Sequence, residues 1–269
     1  MKHRKFLSLL LLVNVSVLLA VLGYKIYLYV NAPTGSALLV SQIERIEEAD
    51  RDRETLSLAV VGQANNSIGV FENEILPRIN ASDADLMVSA GNIVSAGGED
   101  KYRALLGTLG HLRKPYLLTF GQNEDEEFGA GRFYQRFGPY FYSVSLNAAR
   151  LVFLDATGRT PTDWQERWLR DILHARDARP ILVFLGHPLL DPVPDTLFEP
   201  DTGAWSEPEG RARLLDLLEE LGVDVVISAG ASTYSDQTVD GIRHIVTGGA
   251  GGLVLNDDTS FYHYLELEV

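Results

Sequence analysis

Residues 58–67 read LAVVGQANNS, an apolar run of strand length that ends at Gly62 and opens into a polar loop. Continuous apolar runs of this length are typical of strands buried on both faces, and glycine permits the sharp turn that follows. Catalytic loops of α/β proteins lie at such strand ends. This loop nevertheless carries the amides Gln63, Asn65 and Asn66 where acids and imidazoles would perform chemistry.

The same pattern recurs along the chain. Further apolar runs that end in glycine are LMVSAG at 86–91, YLLTFG at 116–121, ILVFLG at 181–186 and VVISAG at 225–230. Helical patterns lie between these runs, over 68–79, 100–109, 161–173 and 207–221. Strands that alternate with helices predict a largely parallel sheet covered on both faces, with its functional edge at the carboxyl ends of the strands.

Additional strands and one amphipathic helix complete the fold prediction. The segments 140–146 and 150–156 flank Asn147-Ala148 and are typical of a hairpin, and two more strands are expected near 243–247 and 261–269. The helix that begins with Pro161 in its first turn carries its large apolar residues at helical spacing: Trp164, Trp168, Leu169, Ile172 and Leu173. The sequence therefore predicts a layered α/β sandwich.

The N-terminus combines a basic pentapeptide, MKHRK, with a run from Phe6 to Tyr24 that has no formal charge. As a helix this run would rise about 28 Å, close to the hydrocarbon thickness of a bilayer. A cleaved signal peptide is the alternative, but the run is longer than a usual signal core, and Pro33 follows the nearest small-residue cleavage candidate, Ala32. We therefore expect an uncleaved transmembrane signal anchor over residues 6–30.

The distribution of positive charge predicts the orientation of this anchor. Lys2, Arg4 and Lys5 lie in a tail of residues 1–5, whereas only Lys25 lies between the apolar run and Arg45. The positive-inside rule places such a tail in the cytoplasm and the remainder of the chain outside. In a bacterium this predicts a single-pass inner-membrane protein with a periplasmic domain.

Residues 31–55 are predicted to form a linker followed by a juxtamembrane helix or stalk, and residues 56–269 to form one domain. In the predicted helix the apolar residues recur at helical spacing amid dense charge: Leu39, Val40, Ile43 and Ile46. The hydrophobic fraction of the chain, 46%, is ample for one core of this size.

Composition excludes several classes of function. The chain has no cysteine, so it has neither disulfides nor thiolate chemistry. None of its 37 acidic residues and four of its 23 Lys plus Arg lie before residue 31, which leaves the remainder with a net charge of −18. Such a surface repels phosphate backbones and anionic lipid headgroups, so we expect no nucleic-acid partner.

The order of the loops resembles the calcineurin-like metallophosphoesterase family over residues 56–269. The similarity includes the middle segment YQRFGPYFYSVSLNAARLVFLDATG, the GHPLLD loop at 186–191 and VTGGAGG near the end. Family members hold two divalent metals with a G-D-x-H loop, a G-D-x-x-D loop and G-N-H-[DE]. A histidine two residues before proline and a G-H-x-H pair complete the set. The resemblance thus implies a hydrolase site that activates water against a phosphate ester.

Each family motif can be placed on this chain, and each has lost its ligands. The motifs fall on the loops that begin at Gly62, Gly91, Gly121, Leu185 and Gly230. The former metal and active-site positions are then occupied by Gln63, Asn65, Asn92, Gln122, Asn123, Gly186, Ala231 and Thr233. His187 occupies the position between the lost histidine and the proline.

Amides cannot replace these ligands as a set. Two neighbouring divalent ions need anionic oxygens, above all a bridging carboxylate, together with neutral imidazoles. An amide offers only a weak carbonyl ligand and does not offset the repulsion between the ions. The sequence therefore predicts no bound metal and no cofactor.

A rebuilt metal site is the alternative. The acidic run Glu124–Glu127 lies beside the third loop, and His187 and Asp191 lie in the fourth. A solvated acidic loop and a hydrogen-bonded histidine explain these residues more simply, because the run lacks the imidazoles and the spacing of a transition-metal site.

Three functions stay open on the sequence. The first is a membrane-anchored pseudoenzyme that binds a protein partner in the cell envelope. The second is a module that binds a glycan or phospho-ligand in the former cleft through amide groups, which offer both donors and an acceptor. Its ligand-binding residues would be Gln63, Asn65, Asn92, Gln122, Asn123 and His187. The third is an active phosphoesterase with a non-standard site.

Overall fold

The computed structural model describes residues 2–30, 37–51, 53–175, 177–192, 203–254 and 258–269. It separates into two units, Met1–Thr34 and Gly35–Val269. The first unit contains helix α1 (Lys2–Val30), whose segment Ser8–Tyr27 is long and apolar enough to span a membrane.

The second unit is built from two mixed sheets. In the described part of the chain the strands are β1 (Ser57–Val61), β2 (Leu86–Ser89), β3 (Tyr116–Leu118), β4 (Tyr142–Ser145), β5 (Arg150–Leu154), β6 (Ile181–Leu185), β7 (Val225–Ser228), β8 (Tyr234–Val239), β9 (Ile242–Thr247) and β10 (Leu265–Glu268). The four-stranded sheet has the order β10-β1-β2-β3, and the six-stranded sheet has the order β4-β5-β6-β7-β9-β8.

Helices connect the strands. They are α2 (Ala37–Asp50), a π-helix (Ile68–Ile75), α3 (Leu76–Ala81), α4 (Glu99–Leu109), α5 (Gln122–Asp125), a 3₁₀ turn (Glu126–Phe128), α6 (Gly129–Phe137), α7 (Thr162–Leu173) and α8 (Pro208–Glu220). The segment 68–79 was predicted to be one helix. Instead it winds as a π-helix, capped by the Ser67 hydroxyl at the Val70 N–H, and continues as α3 from Leu76.

The two sheets pack face to face and carry their helices on the outer faces. The inner core contains Val60, Val88, Leu151 and other apolar side chains of both sheets, including the stacked rings of Phe153 and Phe184. The layered α/β sandwich predicted from the sequence is confirmed. Each sheet is covered by helices on one face only, because its other face packs on the second sheet.

Helix α2 packs on the sandwich. Ile46 is buried in the core between the sheets, and the Gln42 side-chain oxygen accepts a hydrogen bond from the Tyr116 N–H at 3.2 Å. Tyr116 begins β3, an edge strand of the four-stranded sheet. The compact unit thus includes residues that lie before 56, and α2 covers a sheet edge.

The buried face of the outer helix α7 differs from the apolar face predicted from the sequence. Its buried residues are Gln165, Leu169 and Leu173, whereas Trp164 is exposed. The Gln165 side chain hydrogen-bonds the backbone of Asp155, which fixes the start of the helix to the end of β5.

Candidate functional site

The loops at the carboxyl ends of the strands meet across the two sheets. A Cβ atom on Gly91 would lie 2.8 Å from the Gly186 Cα, and one on Gly186 would lie 2.7 Å from the Gly121 Cα. Gly62 is as closely packed, with the Thr247 carbonyl oxygen 1.9 Å from its Cβ position. These glycines are therefore required by the approach of one backbone to another, and they bring the predicted motif loops together at one edge.

The amide residues of the first two loops also shape the backbone. Gln63, Asn65 and Asn92 have φ angles of 54°, 51° and 54°, in the left-handed region that asparagine tolerates better than most residues. The Gln63 N–H donates to the Gly91 carbonyl at 3.1 Å, and the Asn65 N–H donates to the Asn92 carbonyl at 3.2 Å. The turns are thus held by main-chain hydrogen bonds.

Three of the predicted site residues form one hydrogen-bonded cluster. The Asn123 side-chain amide donates to the Asn65 side-chain oxygen and to the Val94 carbonyl, each at 3.0 Å. The Asn123 N–H donates to the Asn92 side-chain oxygen at 3.1 Å. The Asn92 side-chain nitrogen lies 3.5 Å from the Gly186 carbonyl oxygen. We call Asn65, Asn92 and Asn123 the amide cluster.

Gln63 and Gln122 lie at the same edge but outside the amide cluster. Gln63 is half-buried and Gln122 is exposed. The side chain of neither makes a hydrogen bond to the residues that the structure describes.

The loops of the six-stranded sheet supply backbone and small side chains. The Thr233 hydroxyl donates to the Thr259 carbonyl at 2.9 Å, and the Thr233 carbonyl accepts from the Gly248 N–H at 3.0 Å. A Cβ on Gly248 would lie 1.7 Å from the carbonyl oxygen of Ala231. The glycines of 248–252 therefore serve a tight turn that packs on the first and fifth loops.

One cavity between the two sets of loops is small. It is lined by Gly121, Gln122, Ala156, Thr157, Gly186 and His187, and its volume is about 10 Å³. A cavity of this size has room for about one water molecule. Burial lowers the pKa of His187, and the positive charge of Arg211 lowers it further.

Glu124 has a role that its place in the predicted acidic run did not reveal. Its carboxylate is fully buried and accepts hydrogen bonds from the backbone N–H groups of Gly121, Asn92 and Val94, at 2.9, 3.0 and 3.1 Å. Burial raises the pKa of Glu124 to about 7, against the lowering effect of those hydrogen bonds. The bond from the Gly121 N–H to Glu124 is the half of a helix capping box that the glutamate supplies, and a glutamate three residues after Gly121 was the available signal.

The other members of the acidic run point elsewhere. Asp125 forms an ion pair with Arg159 at 2.7 Å, and Glu126 and Glu127 are exposed. Among the described residues no group of three or more His, Cys, Asp and Glu side chains is placed to hold a metal ion.

The donors at this edge do not fit two divalent metals. The cluster offers neutral amides that already bond to each other and to backbone groups. The buried carboxylates of Glu124 and Asp155 each accept hydrogen bonds from nearby N–H or hydroxyl groups. A dinuclear centre needs carboxylates and imidazoles around a space that admits a phosphate.

Comparison with known proteins agrees with this fold. A family model described as calcineurin-like phosphoesterase matches residues 62–230. A protein of Arabidopsis thaliana described as probable inactive purple acid phosphatase 1 is 25% identical over 179 residues, which cover 51% of this chain and 29% of the relative. The chain thus spans under a third of the length of that curated relative.

Solved structures share the fold at low identity. One is described as GAP50, the anchor in the inner membrane complex of Plasmodium, with a TM-score of 0.57 and 14% identity, covering 80% of this chain and 81% of that chain. A dimetal phosphatase from Danio rerio gives a TM-score of 0.59 at 14% identity, covering 79% of this chain and 95% of the other. These similarities show the fold.

Proposed function

Because this chain belongs to the calcineurin-like phosphoesterase family, we propose that it is a membrane-anchored, non-catalytic member that works by binding a protein partner in the cell envelope. The observation that carries the proposal is the amide cluster. Asn65, Asn92 and Asn123 hydrogen-bond each other and the backbone where metal ligands of the family are expected. The fold is kept while the chemistry of the edge is replaced.

Two similar proteins support the two parts of the proposal. The Arabidopsis relative is described as probably inactive, and the Plasmodium structure is described as an anchor in a membrane complex. Together they illustrate that a sandwich of this type can be present without catalysis and within an assembly.

The test of the non-catalytic role is metal content and turnover. We expect the purified chain to hold no stoichiometric Mn, Fe, Zn or Co by elemental analysis and to hydrolyse neither phosphomonoesters nor phosphodiesters. A chelator should leave its melting temperature unchanged, because no ion contributes to folding. An active dimetal phosphatase purified in the same way is the positive control. About two transition-metal ions per chain with turnover would refute the proposal.

The proposed location is the bacterial inner membrane, with a cytoplasmic N-terminus and a periplasmic domain. The basic residues before the apolar helix support this orientation. The chain has no cysteine, so one introduced thiol would be unique. A membrane-impermeant maleimide should label Ala178→Cys in spheroplasts but label His3→Cys only after lysis. The reverse labelling pattern would refute the orientation.

A polar-ligand module is the second candidate, supported by Gln63 and Gln122, whose side chains are not engaged by described residues. The described cavity beside Gln122 and His187 has a volume of about 10 Å³ and admits no sugar or phosphate, so such a ligand would have to bind on the surface beside Gln63. Titration with glycans and inorganic phosphate would reveal such binding directly. The third candidate, an active phosphoesterase with a non-standard site, would appear as metal-dependent turnover.

A further inference from the structure

Exposed apolar side chains concentrate at the edge where the motif loops meet. We call this set the apolar rim: Ile68, Phe128, Leu253, Phe261 and Tyr262. Ile68 follows the loop after β1, Phe128 follows the loop after β3, and Leu253 follows the turn after β9. Phe261 and Tyr262 precede β10, which enters antiparallel to β1 with Leu265 paired to Val60. All five therefore lie at the same end of the sandwich.

Phe128 is the most exposed member of the rim. Its relative exposure is 93%, so it packs on almost nothing in its own chain. Its φ angle is 60° and that of Glu127 is 51°, so two consecutive bulky residues adopt the left-handed region. Such a conformation is uncommon for bulky side chains, and strain of this kind is typical of functional segments.

The strained turn is held in place by its neighbours. Arg132 donates to the Gly97 carbonyl and to the Glu127 carbonyl, each at 2.8 Å. A Cβ on Gly97 would lie 2.5 Å from the Gly129 Cα, so the two backbones are in contact. The turn therefore presents Phe128 to solvent as a fixed feature of the fold.

Unpaired negative charge lies beside the turn that carries this ring. Asp100, Glu126 and Glu127 are exposed and form no ion pair with any residue that the structure describes. The carboxylate oxygens of Glu127 and Asp100 both lie within 3 Å of the Cβ position of Gly98, at 2.7 and 2.9 Å. A second copy of this acidic chain, or an anionic lipid surface, would be repelled from this place.

We propose that the apolar rim is the docking face for a partner protein with an apolar pocket bordered by lysine and arginine side chains, and that the Phe128 ring enters this pocket. An aromatic side chain in a desolvated pocket is the usual centre of a protein interface, and complementary charge at its border directs association. The inference rests on the proposed non-catalytic function and assigns a surface to it.

The experiment uses the full-length chain in native membranes, with a photoreactive phenylalanine analogue at one position at a time. We expect position 128 and position 253 to form an adduct with the same protein, identified by mass spectrometry. Position 239 is the matched control, because Val239 is exposed at the opposite end of the sandwich, beside the turn between β8 and β9. It should form no such adduct. No adduct at 128, or the same adduct at 239, would overturn the proposal.

Two variants with the photoreactive group at 253 separate docking from stability. Phe128→Asn should lower the adduct yield about tenfold or more. It should also raise the melting temperature, because asparagine tolerates the left-handed backbone. A fall in both quantities would mean a structural role and would overturn the proposal.

Charge reversal tests the basic border. The double variant E126K/E127K should lose most of the adduct, whereas D216K/E219K makes the same change in net charge toward the far end of α8 and should retain it. Equal yields, or an adduct with the mass of two copies of this chain, would overturn the proposal. Metal and turnover assays on the same membranes show separately whether the non-catalytic function itself fails.

Discussion

The two sheets contribute to the loop edge in different ways. The loops of the four-stranded sheet keep polar side chains at Asn65, Asn92 and Asn123 and join them by hydrogen bonds. The loops of the six-stranded sheet have glycine and alanine at 186 and 231, and there the backbones themselves close the space. On the predicted assignment, the metal ligands of the family are exchanged for amides in the first half, whereas positions 186 and 231 of the second half have lost their large side chains. Removal should be the harder change to reverse, because no volume is left for a new side chain.

The largest expected effect is at Gly186. A methyl group there would meet the Gly121 Cα at 2.7 Å and the Phe120 carbonyl oxygen at 3.1 Å, and neither can move without shifting a strand end. We expect Gly186→Ala to lower the free energy of unfolding by about 3 kcal/mol. Urea denaturation measures this change.

Gly107→Ala is the matched control for this variant. Gly107 is exposed in α4 and has no atom within 4 Å of its Cβ position, so alanine should stabilise the helix by up to about 1 kcal/mol. If the two variants change the free energy of unfolding by similar amounts, the backbones around Gly186 do not pack as closely as the structure shows. A histidine at 186, needed to restore the ligand set of the family, would be excluded for the same reason.

The next effect concerns Glu124 and pH. Burial raises its pKa from 4.5 to about 7, so the folded chain binds more protons than the unfolded chain between these values. The stabilising contribution is therefore complete below pH 4.5 and is lost as pH rises through 7. We expect a loss on the order of 2 kcal/mol from this group. Comparing Glu124→Gln with the unmodified chain from pH 4.5 to 8 isolates it, and parallel stability curves would refute the assignment.

A smaller effect tests the amide cluster. Asn123→Ala removes the donor to the Asn65 side chain and the Val94 carbonyl and should lower the free energy of unfolding by about 1 kcal/mol. Gln122→Ala, one residue earlier in the same helix, removes an exposed amide without such partners and should change little. If Asn123→Ala and Gln122→Ala lower the thermal stability equally, the hydrogen bonds of the amide cluster do not stabilise the loops of the four-stranded sheet.

Strands with apolar runs were predictable from the sequence, whereas polar and glycine-containing elements were not. The five runs that end in glycine all form strands, because continuous burial leaves a strong signal. Strand β8 was missed, because Tyr234–Val239 is a largely polar edge strand, exposed along much of its length. Helix α6 was also missed, since Gly129 and Gly131 weaken its helical pattern although it buries Phe133 and Phe137.

The sequence indicated that the motif loops meet at one edge, but it did not indicate the hydrogen bonds and ion pairs that their side chains make there. Motif spacing indicated loops that meet, and the structure brings Gly91, Gly121 and Gly186 into backbone contact. Spacing could not show that Asn123 bonds Asn65, or that Glu124 turns inward while Asp125 pairs with Arg159. These arrangements depend on distances between loops that are far apart in sequence. The assignment of the eight replaced positions to former ligands stays a prediction.

The smallest expected effect is at the ion pair that joins the two halves. Arg159 follows β5 in the six-stranded sheet, and Asp125 follows β3 in the four-stranded sheet. The Arg159 side chain is about half exposed, so solvent screens the pair, and Arg159→Ala should cost less than about 1 kcal/mol and less still in high salt. Arg167→Ala is the control, since Arg167 pairs with Asp163 within one helix. If only Arg159→Ala increases amide hydrogen exchange in both sets of loops, the pair couples the two halves. If the two variants behave alike, the ion pair adds nothing to the backbone packing at Gly121 and Gly186.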